Sequence, residues 1–329
     1  MRPPKFWTRS DGASRLITAL LMPVGWMYGA SIRLRARQAK PYQFSGHVIC
    51  VGNLTAGGTG KTPIAMTIAR LAIARGLKTA FLTRGYGGKV KGPAFVMAED
   101  RAQHVGDEPL LLASVAPVIV ARDRGEGAKL AEENAFDVLI MDDGHQNFSL
   151  HKDLSLVVVD GEVGFGNGRV LPAGPLREPV SQGLSRADAV IIVGDGTPGP
   201  LTLTDKPIWH AKLEADGRDV QGHPVIAFAG IGRPEKFFAS LTAIGARIVE
   251  ARPYGDHYVY SQSDIARLKA RARAENALLV TTEKDFVRLT PAEREGIVAL
   301  PVVATFGEDS GMERLLDSAL RRGVPPQAI

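Results

Sequence analysis

The stretch GNLTAGGTGKTP, Gly52 to Pro63, sets the strongest constraint on how this chain can fold. It follows the apolar run HVICVGN and precedes a segment with helical spacing, in which Ile64, Ile68, Leu71 and Ala72 share one face. Strand, glycine-rich loop and helix together let successive backbone N–H groups turn toward one anion. Glycine tolerates the left-handed backbone that such a bend needs, and the helix adds its positive end. The stretch ends Gly60-Lys61-Thr62, as a phosphate-binding P-loop does. The usual pattern G-x-x-x-x-G-K-[ST] would place a glycine at position 55, where this chain has Thr55. Gly57, Gly58 and Gly60 leave enough freedom around the bend for that threonine, and Pro63 falls in the first helical turn, where its missing N–H costs least. The candidate nucleotide-binding residues are therefore Thr55, Ala56, Gly57, Gly58, Thr59, Gly60, Lys61 and Thr62. Lys61 is suited to the β- and γ-phosphates, and the Thr62 hydroxyl to magnesium.

A P-loop also needs a carboxylate for its cation. The apolar run Val138 to Met141 ends in Asp142 and Asp143, which is a Walker B arrangement. Magnesium prefers oxygen ligands, so Thr62, Asp142 and Asp143 form the candidate metal set.

The chain has 329 residues, more than one hydrophobic core usually serves, and two domains are expected. From His47 onward, apolar strands alternate with helices: HVICVGN, KTAFLT, PVIVA, FDVLIMDD, LSLVVVD and ADAVIIVG. That alternation predicts an α/β fold with a largely parallel sheet covered on both faces. GDGTPGPLTLTD, residues 194–205, reads as a linker or ribbon. Beyond it, PVIAFAG, ARIVEA, ALLVTT and VVATF predict a second, smaller α/β lobe. The expected divisions are an N-terminal arm at 1–45, a P-loop core at 46–193, the linker, and the second lobe at 206–329. Cys50, the only cysteine, reads as core packing, and its count excludes a disulfide scaffold.

The arm carries an apolar run, LITALLMPVGWMYGA, too short to span a bilayer and broken by Pro23 and Gly25. Arg2, Lys5, Arg9 and Arg15 precede it, and Arg33, Arg35, Arg37 and Lys40 follow. Three readings compete: a signal peptide, a packing helix, and an interfacial helix with Trp7, Trp26 and Tyr28 near the headgroups. A signal peptide would export a chain whose next feature is a nucleotide loop. The formal charge of +5 suits an anionic partner without selecting one. Basic residues cluster around the arm and are not interleaved with aromatics on a strand platform, so no nucleic-acid partner is expected.

A P-loop serves switches, motors, transporters and small-molecule kinases alike. A GTPase switch should carry N-K-x-D after a late strand, and the nearest text, TTEKD, is out of register. A membrane-recruited nucleotide switch is thus the weaker alternative to a kinase. Further motifs narrow the choice: LTRGYGG, VGDEP, DDGHQN, LPAGPLREP, DHYVY and TTEKDFVRL. With the loop, in this order, they span almost the whole chain, which closely resembles the tetraacyldisaccharide 4′-kinase (lipid A 4′-kinase) family of Gram-negative bacteria. Thr55 then looks like a family trait.

The resemblance implies ATP- and Mg²⁺-dependent phosphorylation of the 4′-hydroxyl of a tetraacylated glucosamine disaccharide 1-phosphate. It also implies a peripheral or monotopic protein on the cytoplasmic face of the inner membrane, with residues 11–34 as an amphipathic, membrane-associated helix. By motif, Asp107 matches the family's catalytic aspartate, and His257 a histidine that pairs with it. A carboxylate at 107 could accept the sugar hydroxyl proton. By themselves Asp107 and Glu108 merely open a helical run, where acidic residues favour the dipole. Tyr258 stands where the family often has a second histidine, and DDGHQN departs from the commoner DDGFQH. Arg84, Tyr86, Gln146 and Arg177 look like substrate or phosphate contacts, with Glu178 supporting.

Overall fold

The computed structural model describes residues 4–7, 11–196, 198–199, 201, 204–307 and 311–321. Arg2 and Arg9 of the basic flank, and residues 197, 200, 202 and 203 of the expected linker, lie outside the described residues. Two sheets organise the chain. Its strands are β1 (His47–Gly52), β2 (Thr79–Thr83), β3 (Ala94–Phe95), β4 (Val118–Val120), β5 (Val138–Asp142), β6 (Leu154–Asp160), β7 (Ala189–Val193), β8 (Ile208–Ala215), β9 (Pro224–Ala229), β10 (Arg247–Pro253), β11 (Leu278–Thr282), β12 (Ile297–Leu300) and β13 (Val302–Phe306).

The large sheet runs β13-β8-β7-β6-β1-β5-β2-β4-β3 and the small one β10-β9-β11-β12. Every pairing is parallel except β13 with β8 and β3 with β4. Strands β1, β2, β5 and β6 are buried at every residue, because helices cover both faces of a parallel sheet. That is why they read in sequence as unbroken apolar runs.

The VVATF run was expected in the second lobe. The structure instead pairs it, as β13, with β8 at the edge of the large sheet. Pro301 is the reason: it has no N–H to donate to a ladder, and the chain leaves one sheet at Leu300 and enters the other at Val302. Strand β8 also lies within 206–329 and pairs with β7 of the large sheet.

Two helices shape the site. The first, α1 (Gly12–Gln38), spans 27 residues and is capped by the Asp11 side chain on Ser14 N–H. Gly25 and Gly29 face the loop before Pro179; a Cβ at Gly25 would lie 2.9 Å from Val170 O. The helix therefore rests on the protein by a small-residue stripe. Its opposite face leaves Leu20, Trp26 and Met27 about two-thirds or more exposed, at 70%, 66% and 74%. Trp7 is not on that face: it is half-buried, and its indole N–H donates to Pro172 O at 3.2 Å. No described helix is long and apolar enough to cross a membrane. The second helix, α2 (Lys61–Ala74), buries Ile64, Ile68 and Ala72 under the sheet.

The carboxyl end of β1 has no room to spare. A Cβ at Gly52 would sit 2.5 Å from His145 Cβ, whereas one at Gly58 would meet nothing within 4 Å. Gly52→Ala is expected to lose about 1–3 kcal/mol of stability, the usual cost of overpacking. Gly58→Ala should unfold close to the parent. Denaturant titration of both checks this, and equal midpoints would contradict it.

Candidate active site

The loop between β1 and α2 is braced from inside. Asn53, fully buried, donates from Nδ2 to Thr55 O at 2.8 Å and lies 3.3 Å from Thr59 Oγ1. Gly60 caps α2 in the left-handed region, with φ 83°. Thr55 answers the missing first glycine. It pairs with Leu176 in an isolated antiparallel bridge, flanked by Ala56 N–H to Pro175 O and Arg177 N–H to Leu54 O. An extended residue in a ladder has no need of glycine, so the LPAGPLREP segment takes over part of the loop's support.

That segment also reaches the end of β5. Arg177 Nη1 donates to Asp143 Oδ1 at 2.6 Å, and Lys61 Nζ lies 3.8 Å from the same oxygen. Burial alone would raise the Asp143 carboxyl, but the charges of Lys61 and Arg177 hold it below its ordinary value. Thr62 Oγ1 donates to Asp142 Oδ2 at 3.1 Å. Asp142 is buried, and among the described residues its Oδ1 has no hydrogen-bond partner. Burial, with the charge of Glu108, pushes this carboxyl up to about 7 against the pull of Lys61. An orphaned buried carboxylate oxygen beside a hydroxyl is a donor set that suits a hard cation. No group of three or more His, Cys, Asp or Glu side chains that could hold a metal occurs among the described residues, so other ligands would have to come from the nucleotide or water.

Gln146 and Glu178 turn out to be braces. Gln146 Nε2 donates to Asn53 O and to Glu178 Oε1, both at 2.9 Å. Glu178 is fully buried, and Arg186 Nη2 donates to both of its oxygens at 2.7 Å, so it supports Gln146 and does not face the cleft. His145 fills the aromatic place in DDGHQN. It is buried between Ser155 Oγ and Gly183 O, and burial, with the Arg186 and Lys152 charges, lowers it to about 3. It is thus a neutral core imidazole. Arg84 and Tyr86 are exposed and, with Arg122, line a cavity of ≈ 280 Å³. Tyr86 stands 6.5 Å, ring centre to ring centre, from His257.

Asp107 and His257 meet across the two lobes. His257, in a left-handed conformation with φ 56°, places Nδ1 3.0 Å from Asp107 Oδ2. Burial would raise the Asp107 carboxyl. The His257 hydrogen bond and the charges of Lys284 and Arg288 outweigh it and hold the group well below the usual carboxylate range. Tyr258 turns away, its hydroxyl donating to Asp264 Oδ2 at 3.3 Å.

Several residues here carried no role in the sequence. Asn53 sits inside the quoted loop, and Lys284 and Arg288 inside TTEKDFVRL. Arg233 begins a helix of the second lobe (Pro234–Ala243) and pairs with Asp160 at the end of β6 while lying 3.4 Å from Gly58 O. Arg124 is buried, and burial followed by the charge of Arg84 lowers it to about 10. The quoted loop could have drawn attention to Asn53, and TTEKDFVRL to Lys284 and Arg288; no quoted motif contains Arg233 or Arg124.

The family model described as tetraacyldisaccharide-1-P 4′-kinase matches residues 17–321. A tetraacyldisaccharide 4′-kinase of Rhodospirillum rubrum is 46% identical, covering 99% of this chain and 100% of that one. One of Paramagnetospirillum magneticum is 48% identical, over 96% and 98%. A crystal structure of LpxK from Aquifex aeolicus in complex with ATP superposes with a TM-score of 0.76 at 28% identity, covering 92% of this chain and 99% of that one.

The Asp142 environment has a measurable consequence. Its folded value lies above the ordinary 3.8, so in the window up to about 7 the folded chain keeps a proton that the unfolded chain has lost. This group's contribution to stability therefore falls as pH rises through that window. Asp142→Asn is expected to melt about 2–4 °C above the parent at alkaline pH, a gap that narrows on acidification. A variant less stable than the parent under alkaline conditions would contradict it.

Proposed function

The chain belongs to the tetraacyldisaccharide-1-P 4′-kinase family, and on that premise we propose how its residues carry out ATP-dependent phosphorylation of the 4′-hydroxyl of the lipid A precursor tetraacyldisaccharide 1-phosphate. The observation that carries the assignment of roles is the proximity of two clusters. Lys61 and Thr62 pair with Asp143 and Asp142 at the phosphate loop, Asp107 pairs with His257, and Glu108, next to Asp107, is near enough to Asp142 to raise its carboxyl.

The glycine-rich loop holds the triphosphate by its backbone N–H groups and the N-terminus of α2. Lys61, held by Asp143, supplies a positive charge where negative charge moves from the γ-phosphoryl group to the leaving diphosphate. Magnesium would be held by Thr62 and Asp142, with Asp143 beside them, and would neutralise phosphate oxygens when bound. The orphaned Asp142 Oδ1 supports that assignment. Asp107 orients the sugar hydroxyl and accepts its proton as the new P–O bond forms. Arg84 and Tyr86, both exposed and lining one cavity, with Tyr86 near His257, are suited to a phosphate and a sugar face.

The acceptor is a lipid, and α1 is the element built to meet it. Its outward Leu20, Trp26 and Met27, with Arg33, Arg35 and Arg37 toward its end, have the composition of an interfacial helix. We place the working protein at the cytoplasmic face of the bacterial inner membrane, where ATP and the precursor meet. The basic residues match anionic lipid there.

Three variants separate these roles. Lys61→Ala is expected to weaken both ATP binding and transfer. Asp107→Ala should lose transfer by a factor of about 10²–10⁴ while ATP affinity stays near the parent's. Calorimetric ATP titration and a radiolabelled transfer assay read the two quantities, and full transfer by Asp107→Ala would exclude the assigned role. Trp26→Glu combined with Met27→Glu should reduce sedimentation with anionic vesicles and leave the melting temperature unchanged; undiminished sedimentation would show that α1 only packs.

A further inference from the structure

We propose that Arg288 is the positioning residue that fixes Asp107 to the second lobe; this rests on Asp107 being the group that receives the sugar hydroxyl. The Arg288 side chain is almost as buried as Asp107, at 7% against 6% exposed. Its Nε donates to Asp107 Oδ2 at 3.0 Å and its Nη2 to the same oxygen at 2.5 Å. The remaining nitrogen, Nη1, donates to Gly230 O at 2.8 Å and Asp285 Oδ1 at 2.7 Å. Asp285 is itself fully buried and accepts from Gly230 N–H, Tyr260 Oη and Thr282 Oγ1 at 3.0, 3.0 and 2.7 Å. One guanidinium thus connects a rigid knot in the small lobe to a single carboxylate oxygen of the large one. A planar fork can make those bonds together, and an ammonium cannot.

The charges around Asp107 explain why such a link is needed. From the loop after β10 come His257 and, 3.8 Å beyond its Nε2, Asp256. From the segment after β11 come Lys284, 3.9 Å from Asp107 Oδ2, and Arg288 with Asp285 behind it. Glu108, on the same turn as Asp107, pairs with Lys284 at 3.3 Å, and Asp142 of β5 feels its charge. Removing one cation leaves a buried carboxylate among Glu108, Asp142, Asp256 and Asp285. Burial then raises its proton affinity against weaker opposition.

The geometry also selects the reacting oxygen. Oδ2 already receives His257 Nδ1 and two nitrogens of Arg288, whereas among the described residues Oδ1 receives only Glu108 N–H, at 3.0 Å. The sugar O–H bond therefore breaks toward Oδ1. A new bond joins the sugar oxygen to the γ-phosphorus, and the bond between that phosphorus and the β–γ bridging oxygen breaks. A carboxylate held so firmly ionised is a weak base. That suits a loose phosphoryl transition state, in which the proton leaves late and orientation matters more than early deprotonation.

The test is the pH dependence of kcat with the full-length protein, tetraacyldisaccharide 1-phosphate in mixed micelles, and saturating ATP with magnesium. Arg288→Gln is expected to lower kcat by roughly 10² and move the acid limb up by about one pH unit or more. Its KM for ATP should stay near the parent's. Arg288→Lys should return the limb toward the parent position while recovering only part of kcat. Lys284→Gln, which leaves the Asp285 knot intact, should move the limb in the same direction by less. A limb unmoved in both glutamine variants overturns the proposal, whatever happens to kcat. If Arg288→Gln does not fold, an unmoved limb in Lys284→Gln alone overturns it. Asp107→Asn distinguishes the two levels. Retained turnover there removes the role of Asp107 itself, whereas an inactive Asp107→Asn with unmoved limbs elsewhere removes only the role of Arg288.

Discussion

Everything chemical in this protein depends on the parallel ladder that holds β1 between β5 and β6. Parallel strands end at the same edge of a sheet, so this pairing alone brings the loop after Gly52, the carboxylates after Met141 and Asp160 to one side. Open α/β sheets bind ligands at that edge. The ladder is buried on both faces, which makes its register costly to shift. The contact of Gly52 with His145 then leaves no slack between the loop and the acidic turn.

The second constraint is electrostatic and lies between the lobes. Asp107 is on the large lobe, and its partners His257, Lys284 and Arg288 are on the small one. Arg233 of the small lobe reaches Asp160 and the edge of the phosphate loop in the same way. The lobes are also joined covalently where Pro301 passes the chain from β12 to β13. The acceptor side of the cleft is therefore assembled only when both lobes are in place. An ion-paired, partly desolvated interface is suited to that, because its charges are expensive to leave unpartnered.

What the sequence revealed follows from which signals are local. Strands β1, β2, β5, β6 and β7 are buried parallel strands and stand out as apolar runs. Strand β8, IWHAKLEA, lies one strand in from the sheet's edge, is mostly exposed and mixes charge with apolar residues, so no period marks it. VVATF was legible as a strand but its sheet was not, since pairing across lobes leaves no trace in neighbouring residues. The phosphate loop and the paired aspartates were legible from their spacing. Asp107 and His257 could be joined only through a family resemblance, being 150 residues apart. Glu178 was expected to support the substrate contacts; what the sequence does not carry is its burial, its pairing with Arg186 and its hydrogen bond from Gln146. Arg288 lay in a quoted motif with no role, because its partner is in the other lobe.

The central claim is that a triphosphate held by the Lys61 loop delivers its γ-phosphoryl group to the sugar hydroxyl presented at Asp107. It is tested most directly by tandem mass spectrometry of the lipid after incubation of the protein with ATP, magnesium and tetraacyldisaccharide 1-phosphate. The account requires one added phosphate whose fragment ions lie on the 4′ side of the disaccharide. No added phosphate, or a phosphate carried on the existing 1-phosphate, would contradict it.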